Sequence, residues 1–447
     1  MNYKISKRSI LPGLILSLCI NTITNGQVAD ISKLNTGTDS LSLTYIIKQV
    51  TTRYPSVKVA EEAIKNSDTK IRLARTGYYP EADVTASFTN IGPVTKLSIP
   101  NLGTFQLYPA NNYSASINYN EVLYDFGRTK QNIDFENENK AITEQTLEQV
   151  KQKLALIAVN NFYALAFLQA AIKIKDEQLD ALNEHLDYVE KMMATGSATE
   201  YQILTTKVKI SSVESQKVDL VASLTAYQAS LNSLLGDVHL TNPVVKSELA
   251  AEVPVIPADS ILSYAFHNRD EVLLNEKKVA LAELRYGITK LKNKPMLSFI
   301  ASGGLKNGYI PDLYKITPNY VVGLGFRVPV FDGMKNKYNL MQAQSAITTL
   351  TYESDFTKRN ISNELSESEA NLFASEKKIG QFKLQLSQAL RAYSLAETSF
   401  KSGVITNLDL LDASTTVSES KLFLMKAKID YAVSVYKLKA ALGERLY

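Results

Sequence analysis

Two parts of the chain alternate apolar and polar residues with a period of two. A period of two is typical of strands that have one apolar and one polar face. The pattern therefore predicts two β-hairpins, at about 80–124 and about 295–331, with a loop at 91–110 inside the first. The alternating apolar positions are Ala82, Val84, Ala86, Phe88, Tyr113, Ala115, Ile117 and Tyr119 in the first hairpin, and Leu297, Phe299, Ala301, Tyr320, Val322, Leu324 and Phe326 in the second.

Segments with helical periodicity surround these hairpins. The two longest contain no proline and one internal glycine, Gly380, so each can form a helix of roughly 100 Å. Their apolar residues, many of them alanines, occupy more than one stripe, which predicts close packing against two neighbours. Each is followed by a turn and a shorter returning helix. The predicted helical segments are 41–77 with a break near Pro55, then 129–195, 200–235, 335–402 and 408–442.

The second half of the chain repeats the first at an offset of 207 residues. Gly196 aligns with Gly403 and Gly236 with Gly443, and both β-hairpins fall at equivalent places. A repeat of this length indicates two pseudo-symmetric halves rather than a solenoid. The predicted organisation is a first repeat at 27–236 with its helical hairpin at about 129–235, a crossover at 237–259, a second repeat at 260–443 with its helical hairpin at about 335–442, and a C-terminal tail at 444–447.

The amino terminus has the composition of a secretory signal. A basic start, an apolar run over 9–20 and small residues before Gln27 predict that residues 1–26 are cleaved. Cys19, the only cysteine, lies inside this segment. Lipidation of Cys19 is the alternative, but Leu18 precedes the cysteine where a lipidation motif has a small residue.

The net charge and the length of the apolar segments limit the class of protein. The net charge of +4 falls to +1 once Lys4, Lys7 and Arg8 are removed with the signal, so no nucleic-acid partner is indicated. We expect no later helix to cross a membrane, because no later segment offers the apolar length that one needs. Any crossing must then be made by strands. Four strands cannot enclose a polar lumen, so several chains would have to share one barrel; a soluble β-sandwich is the alternative for these strands.

One glycine turn, at Gly196 or at Gly403, connects the two helices of each predicted helical hairpin. After Gly403, Thr406 can cap the next helix, and Asp409 and Asp412 lie three residues apart on one face of it. Asp409 completes a sequence that resembles a capping box, which alone could explain an acid there. Asp412 lies outside that motif, and the alternative for it is an ordinary solvated acid.

No motif predicts an enzyme, a cofactor or a metal site. The chain has no phosphate-binding glycine loop and no His-Glu-x-x-His sequence. His185, His239 and His267 are scattered and do not form the cluster that a metal needs, so we interpret them as structural or solvated residues.

The whole arrangement resembles the TolC family of bacterial outer membrane efflux proteins. The duplicated half, the two hairpins introduced by proline, the strand ends Tyr124-Asp125-Phe126-Gly127 and Phe331-Asp332-Gly333, and the turns at Gly196 and Gly403 carry the resemblance over essentially the whole mature chain. It implies an α+β membrane protein of the outer membrane that extends into the periplasm. Three chains would contribute four strands each to a shared β-barrel, and long helical hairpins would form a periplasmic α-barrel.

The resemblance also implies partners and site residues. A periplasmic adaptor protein would bind the helical tips at Gly196, Ser197, Gly403 and Val404 and couple the tunnel to an inner-membrane pump of RND or ABC type. Asp409 and Asp412 would face the tunnel axis as the pore gate. Some relatives carry a basic residue in the turn where this chain has Ile405, so a salt-bridge latch from that position is not expected here. The alternative function is a soluble periplasmic or secreted coiled-coil scaffold.

Overall fold

The computed structural model describes residues 41–100, 103–236, 244–245, 253–254 and 260–447. The predicted signal peptide at 1–26, with Cys19, and most of the predicted crossover at 237–259 lie outside the described residues. One described piece of the crossover contacts the first repeat. Val245 forms a parallel bridge with Leu41, and the Leu41 N–H donates to the Val244 carbonyl at 2.9 Å.

Helices and strands follow the predicted order. The helices are α1 (Leu43–Arg53), α2 (Pro55–Arg75), α3 (Arg128–Ala194), α4 (Glu200–Leu235), α5 (Ile261–Asn268), α6 (Asp270–Leu291), α7 (Lys335–Lys401) and α8 (Asn407–Ala441). The strands are β1 (Glu81–Asn90), β2 (Lys96–Ile99), β3 (Gly103–Gln106), β4 (Asn111–Tyr124), β5 (Met296–Lys306) and β6 (Thr317–Arg327). The break between α1 and α2 falls at Tyr54, which is extended because a proline follows it.

Four strands form one antiparallel sheet in the order β1-β4-β5-β6. Its two faces differ as predicted, because residues that alternate along each strand point to opposite sides. On the polar face, Asn118 Nδ2 donates to Asp83 Oδ2 at 2.9 Å. On the apolar face, Val84 is 74% exposed and Tyr320 is 82% exposed. An apolar face this open is the face that lipid covers in an outer-membrane strand.

The region at 91–110 differs from the prediction. The sequence predicts only a loop there, but the region contains the small antiparallel pair β2 and β3. Each of these strands is four residues long. Pro93, Pro100 and Pro109 interrupt the region, so the alternation is too short to be recognised as strands.

An aspartate caps the start of each long helix, directly after the preceding strand. Asp125 accepts hydrogen bonds from Gly127 N at 3.0 Å and from Thr129 N at 2.7 Å. In the second repeat, Asp332 accepts from Asn336 N at 3.0 Å. These carboxylates satisfy backbone N–H groups that a helix start leaves free. The aspartates of the two strand-end motifs therefore fix where α3 and α7 begin.

The long helices α3 and α7 each contain 67 residues and pack side by side with their returning partners. Helix α3 packs against α4 and α8, and α8 packs against α7, so the four helices lie in the order α4, α3, α8, α7.

The main core lies where α1 and α2 meet α3 and α8. Val57 of α2 and Val272 of α6 are equivalent in the repeat, whose offset is 215 residues in the part that precedes the β-hairpin loops, and both are buried in their own clusters.

One expectation about membrane helices is wrong in detail. Contrary to the prediction, α3 contains an 18-residue apolar stretch that by length and composition alone could cross a membrane. Half of that stretch is buried inside the protein, and Ala158, Phe162 and Tyr163 belong to the main core. The apolar stretch is explained by packing, as in the central helix of many soluble cores.

The C-terminal tail returns to the main core. Arg445 donates to Asp270 at 2.5 Å, and Gln152 of α3 donates to the Glu444 carbonyl at 2.8 Å. The Tyr447 hydroxyl donates to Glu148 of α3. The bonds to Gln152 and Glu148 tie the end of the second repeat to α3 of the first, and the bond to Asp270 ties it to α6.

Candidate functional site at the helical turns

Both turns between the long and returning helices have the same backbone geometry. Gly196 has φ +76° and Gly403 has φ +71°, in the left-handed region that favours glycine. The N–H of the next residue then closes the last helical turn: Ser197 N donates to Met192 O at 2.8 Å, and Val404 N donates to Ser399 O at 2.9 Å. The two tips are therefore structural copies of one another, as the repeat predicts.

A capping box begins each returning helix. In α4, Thr199 N donates to Gln202 Oε1 at 3.0 Å. In α8, Thr406 N donates to Asp409 Oδ2 at 2.9 Å, the Thr406 hydroxyl donates to the same oxygen at 2.6 Å, and Asp409 N donates to Thr406 Oγ1 at 3.2 Å. The hydroxyl and then the backbone N–H of Thr406 lower the pKa of Asp409.

The capping role of Asp409 does not by itself require a charge. Gln202 performs the same role in the first repeat as a neutral side chain. Asp412 makes no hydrogen bond or ion pair through its carboxylate to the residues that the structure describes, and Thr205 is its equivalent in the first repeat. The second tip therefore carries two carboxylates where the first tip has two neutral side chains.

The two acids lie on the open side of α8. Asp409 and Asp412 are exposed, whereas Leu410 and Leu411 between them are buried against the first helical hairpin. Because α-helical residues three apart share a face, the carboxylates point away from the buried leucines together. This orientation leaves both acids free to face a common axis or a neighbouring molecule.

A small apolar core joins the two tips. Val189 of α3, Phe400 of α7 and Leu410 of α8 form its buried centre. Ile405, the turn residue from which no salt-bridge latch is expected, packs against this centre with Ile203 of α4. The turn residue therefore contributes to packing between the hairpins and not to a salt bridge.

Asn407, which the sequence does not single out, is the polar link between the hairpins. It is the first residue of α8 and is 3% exposed. Its Nδ2 donates to the Gln202 carbonyl at 3.2 Å and lies 3.1 Å from the buried Thr206 hydroxyl, and its Oδ1 lies 2.6 Å from His185 Nε2. The available sequence signal is an asymmetry, since the equivalent residue in the first repeat is Glu200.

The predicted docking residues lie at the exposed ends of the two hairpins. Gly196, Ser197, Gly403 and Val404 are all exposed, and Val404 is 76% exposed. An apolar side chain this open at a helical tip has no partner within the described chain to cover it. The tips thus offer a surface that another protein could contact.

The described residues contain no group of His, Cys, Asp and Glu that could hold a metal ion. His185 belongs to the Asn407 link, and His267 lies at the end of α5. His239 lies outside the described residues.

Comparison with known proteins places this fold in a family. The sequence model of the outer membrane efflux protein family matches residues 46–237 and 261–444, and the chain belongs to that family. The two matched segments coincide with the two repeats. The chain is therefore a protein of the bacterial outer membrane that extends into the periplasm, and its relatives are channel proteins rather than enzymes.

Individual relatives align with this chain over most of their length. The chain is 22% identical to nodulation protein T of Rhizobium leguminosarum bv. trifolii over 435 residues, covering 94% of this chain and 89% of the relative. It is 20% identical to outer membrane protein TolC of Salmonella enteritidis over 382 residues, covering 81% of this chain and 78% of the relative. The solved structure of VceC from Vibrio cholerae superposes with a TM-score of 0.74 at 18% identity, covering 91% of this chain and 97% of that one.

Proposed function

We propose that this protein is the outer-membrane channel-tunnel of a tripartite efflux or secretion system. Solutes would pass from an inner-membrane pump of RND or ABC type, through a periplasmic adaptor, into the tunnel and across the outer membrane. The observation that carries the proposal is a four-stranded sheet with an exposed apolar face, joined directly to two helices of 67 residues each. At 1.5 Å per residue these helices reach roughly 100 Å away from the sheet.

The active form in this proposal is a homotrimer. Among the described residues nothing pairs with the two edges of the sheet. Open edges are not tolerated in lipid because backbone N–H and C=O groups would lack partners. Three chains with four strands each close a barrel wide enough for a polar lumen. The layer of helices below has exposed apolar side chains on both its outer helices, such as Val208 of α4 and Leu384 of α7, which neighbouring copies would cover.

The gate in this proposal consists of Asp409 and Asp412. Three copies would place six carboxylates in two rings at the narrow end of the tunnel, which would select for cations and bind multivalent cations. The exposure of both acids and the absence of acids at the equivalent positions of the first tip support this role.

The experiment replaces both acids with the neutral residues of the first repeat, Asp409→Gln and Asp412→Thr. Glutamine keeps the capping box, as Gln202 does, so the exchange removes charge without removing the cap. In planar bilayers we expect the double variant to lose most of its cation selectivity and its block by a trivalent cation, with trimer stability unchanged. Glu200→Gln, which removes a charge from the other tip, is the matched control. Unchanged selectivity and block in the double variant would show that Asp409 is only a helix cap and Asp412 only a solvated acid.

Contact of the tips with an adaptor is tested separately. Cysteines at Ser197 and Val404 carry a photo-activated cross-linker in cells, with Val330→Cys beside the sheet as the exposed control. We expect the tip positions to capture one periplasmic protein and, through it, an inner-membrane pump, and the control position to capture neither. Capture from Val330 alone would show that the tips are not the docking surface.

The alternative of a soluble coiled-coil scaffold leaves the sheet unexplained. A scaffold would use the helices but would have no role for the exposed apolar face that includes Val84 and Tyr320. Cell fractionation distinguishes the two functions, because a scaffold is released by salt whereas a barrel requires detergent.

A further inference from the structure

The sheet ends in two open edges that belong to different repeats. Strand β1 pairs only with β4, and strand β6 pairs only with β5, among the residues that the structure describes. All ten residues of β1 are exposed. An open edge of this kind is a ready template for a strand of another chain.

The register of the sheet shows which side chains share the polar face. Directly paired residues lie on the same face, and the row through Glu81 contains Asn120, Ile300 and Gly323. Side chains return to the same face every second residue. Asp83, two residues after Glu81, and Arg327, four residues after Gly323, therefore lie on this same polar face.

These three charges also lie at the same end of the sheet. Successive strands in the order β1-β4-β5-β6 are antiparallel, so β1 and β6 run in opposite directions. The first residue of β1 is Glu81 and the last residue of β6 is Arg327. Both lie at the end where α2 enters the sheet and α7 leaves it. A β6 strand laid beside a β1 strand of another copy would be antiparallel to it.

The charges at the two edges are opposite and lack ionic partners. Within the described chain, no carboxylate lies within 4.0 Å of the Arg327 guanidinium, and no cation lies that close to Glu81 or Asp83. Asp83 receives only the neutral Asn118 amide. Arginine is well suited to bind one or two carboxylates because its planar guanidinium presents several N–H donors.

In the proposed trimer β6 of one copy lies beside β1 of a second copy, and we propose that Arg327 binds Glu81 and Asp83 of that second copy on the polar face. The occupant of each edge is thus another copy of this chain, held in register by an ion pair that joins the two repeats across the subunit boundary. The row through Glu81 reaches β6 at Gly323. Pairing Arg327 with Glu81 or Asp83 of the next copy therefore sets a stagger of about four to six residues per chain, as the tilted strands of a closed barrel require. This inference rests on the proposed trimer and adds the residues that close it.

The test uses cysteine pairs in the full-length protein. The only native cysteine, Cys19, lies in the predicted signal peptide. The introduced cysteines are therefore the only thiols expected in the mature chain. Two variants are made, Glu81→Cys with Arg327→Cys and Asp83→Cys with Arg327→Cys, and membranes are treated with a short thiol cross-linker. We expect at least one pair to give covalent dimers and trimers on a denaturing gel. Asp83→Cys with Thr317→Cys, at the opposite end of β6, is the control that should not cross-link.

The outcome separates this inference from the proposed function. Native mass spectrometry in detergent reports the oligomeric state of the unaltered protein and of each variant. Variant trimers that cross-link through neither 327 pair, or only through the control pair, overturn the ion pair and leave the proposed trimer unaffected. A monomeric unaltered protein overturns both.

Charge exchange gives an independent measurement on the same pair. Arg327→Glu should cause loss of the trimer in native mass spectrometry, because three carboxylates would then meet at each boundary. Adding Glu81→Arg or Asp83→Arg to that variant should restore the trimer. Failure of both second changes to restore it would also overturn the ion pair.

Discussion

His185 Nε2 lies 2.6 Å from Asn407 Oδ1, and this contact joins α3 of the first repeat to α8 of the second. The amide of Asn407 also reaches the Gln202 carbonyl of α4 at 3.2 Å. One side chain therefore links three helices beside the two exposed acids. Because α8 carries Asp409 and Asp412, any movement of the second hairpin away from the first must break this link.

Asn407→Ala should weaken the attachment of α8 to the first hairpin. The change removes the hydrogen bonds to Gln202 and Thr206 and leaves His185 without its polar partner, a loss of roughly 1–3 kcal/mol for a buried group. We expect a lower thermal midpoint and a larger mean conductance in planar bilayers. Thr416→Ala is the control, because in the described part of the chain the Thr416 hydroxyl bonds only to the Asp412 carbonyl of its own helix. Equal conductance in the two variants would contradict a holding role for Asn407.

The sequence predicts the helices well because their signals are local and occur twice. The predicted start of the second long helix, Lys335, is the observed one, and the turns at Gly196 and Gly403 have the positive φ that their positions suggest. The role of Asn407 could not be predicted in the same way. Its partners His185, Gln202 and Thr206 are distant in the chain, and only packing of the hairpins brings them together.

The candidate site could be predicted only in part from the sequence, for the same reason. The capping box at Thr406 and Asp409 is a local motif and is present in the structure. The direction in which Asp412 faces depends on which side of α8 is buried, and that follows from the contacts of Leu410 and Leu411 with another hairpin. Short strands between prolines, such as β2, likewise give too little alternation to recognise.

Asp409 should keep its charge in mildly acidic solution. The Thr406 hydroxyl and N–H hold the pKa of Asp409 below its ordinary value of 3.8, so the carboxylate is ionised above that pH and is protonated only as the pH falls through the lowered pKa. In channels with Asp412→Thr, where Asp409 is the remaining gate acid, we expect equal block by a trivalent cation at pH 7 and at about pH 5. The block should decline only below about pH 4. A clear loss of block between pH 7 and pH 5 would show that another group controls it.

Gly403→Val should strain the second tip without disturbing its neighbours. A Cβ at Gly403 meets no atom within 4 Å, so the cost comes from φ +71° alone and is roughly 1–2 kcal/mol. We expect a small fall in thermal stability and weaker cross-linking of Val404→Cys to the adaptor, with the sheet unaffected. Gly380→Ala in the middle of α7 is the control, because Gly380 also has open space around it but no positive φ. Full cross-linking in Gly403→Val would mean that the turn geometry does not set the docking surface.

Lys175 of α3 is buried, and we expect its charge to lower the free energy of unfolding. Lys175 is 6% exposed, and its Nζ donates to Gln178 Oε1 at 3.1 Å and forms no ion pair with a described residue. Burial is the main cause of its lowered pKa; Glu419 of α8 opposes the shift and Lys209 of α4 adds to it. Because the folded pKa is below the ordinary value of 10.5, folding is disfavoured while the amine is charged, and stability should rise as the pH increases through the folded pKa.

Lys175→Met should therefore raise the free energy of unfolding at pH 7 by about 1 kcal/mol. Gln178 keeps a partner in this variant, since the Ser418 hydroxyl already donates to the same Oε1 at 2.7 Å. The measurement is urea unfolding of the detergent-solubilised protein at pH 7 and at about pH 10. The advantage of the variant should shrink at the higher pH, where the native amine loses its proton more readily in the folded state. Lys173→Met, two residues away on α3 and less buried, is the control, and a variant that is less stable than the native protein at both pH values would show that Lys175 stabilises the helices instead.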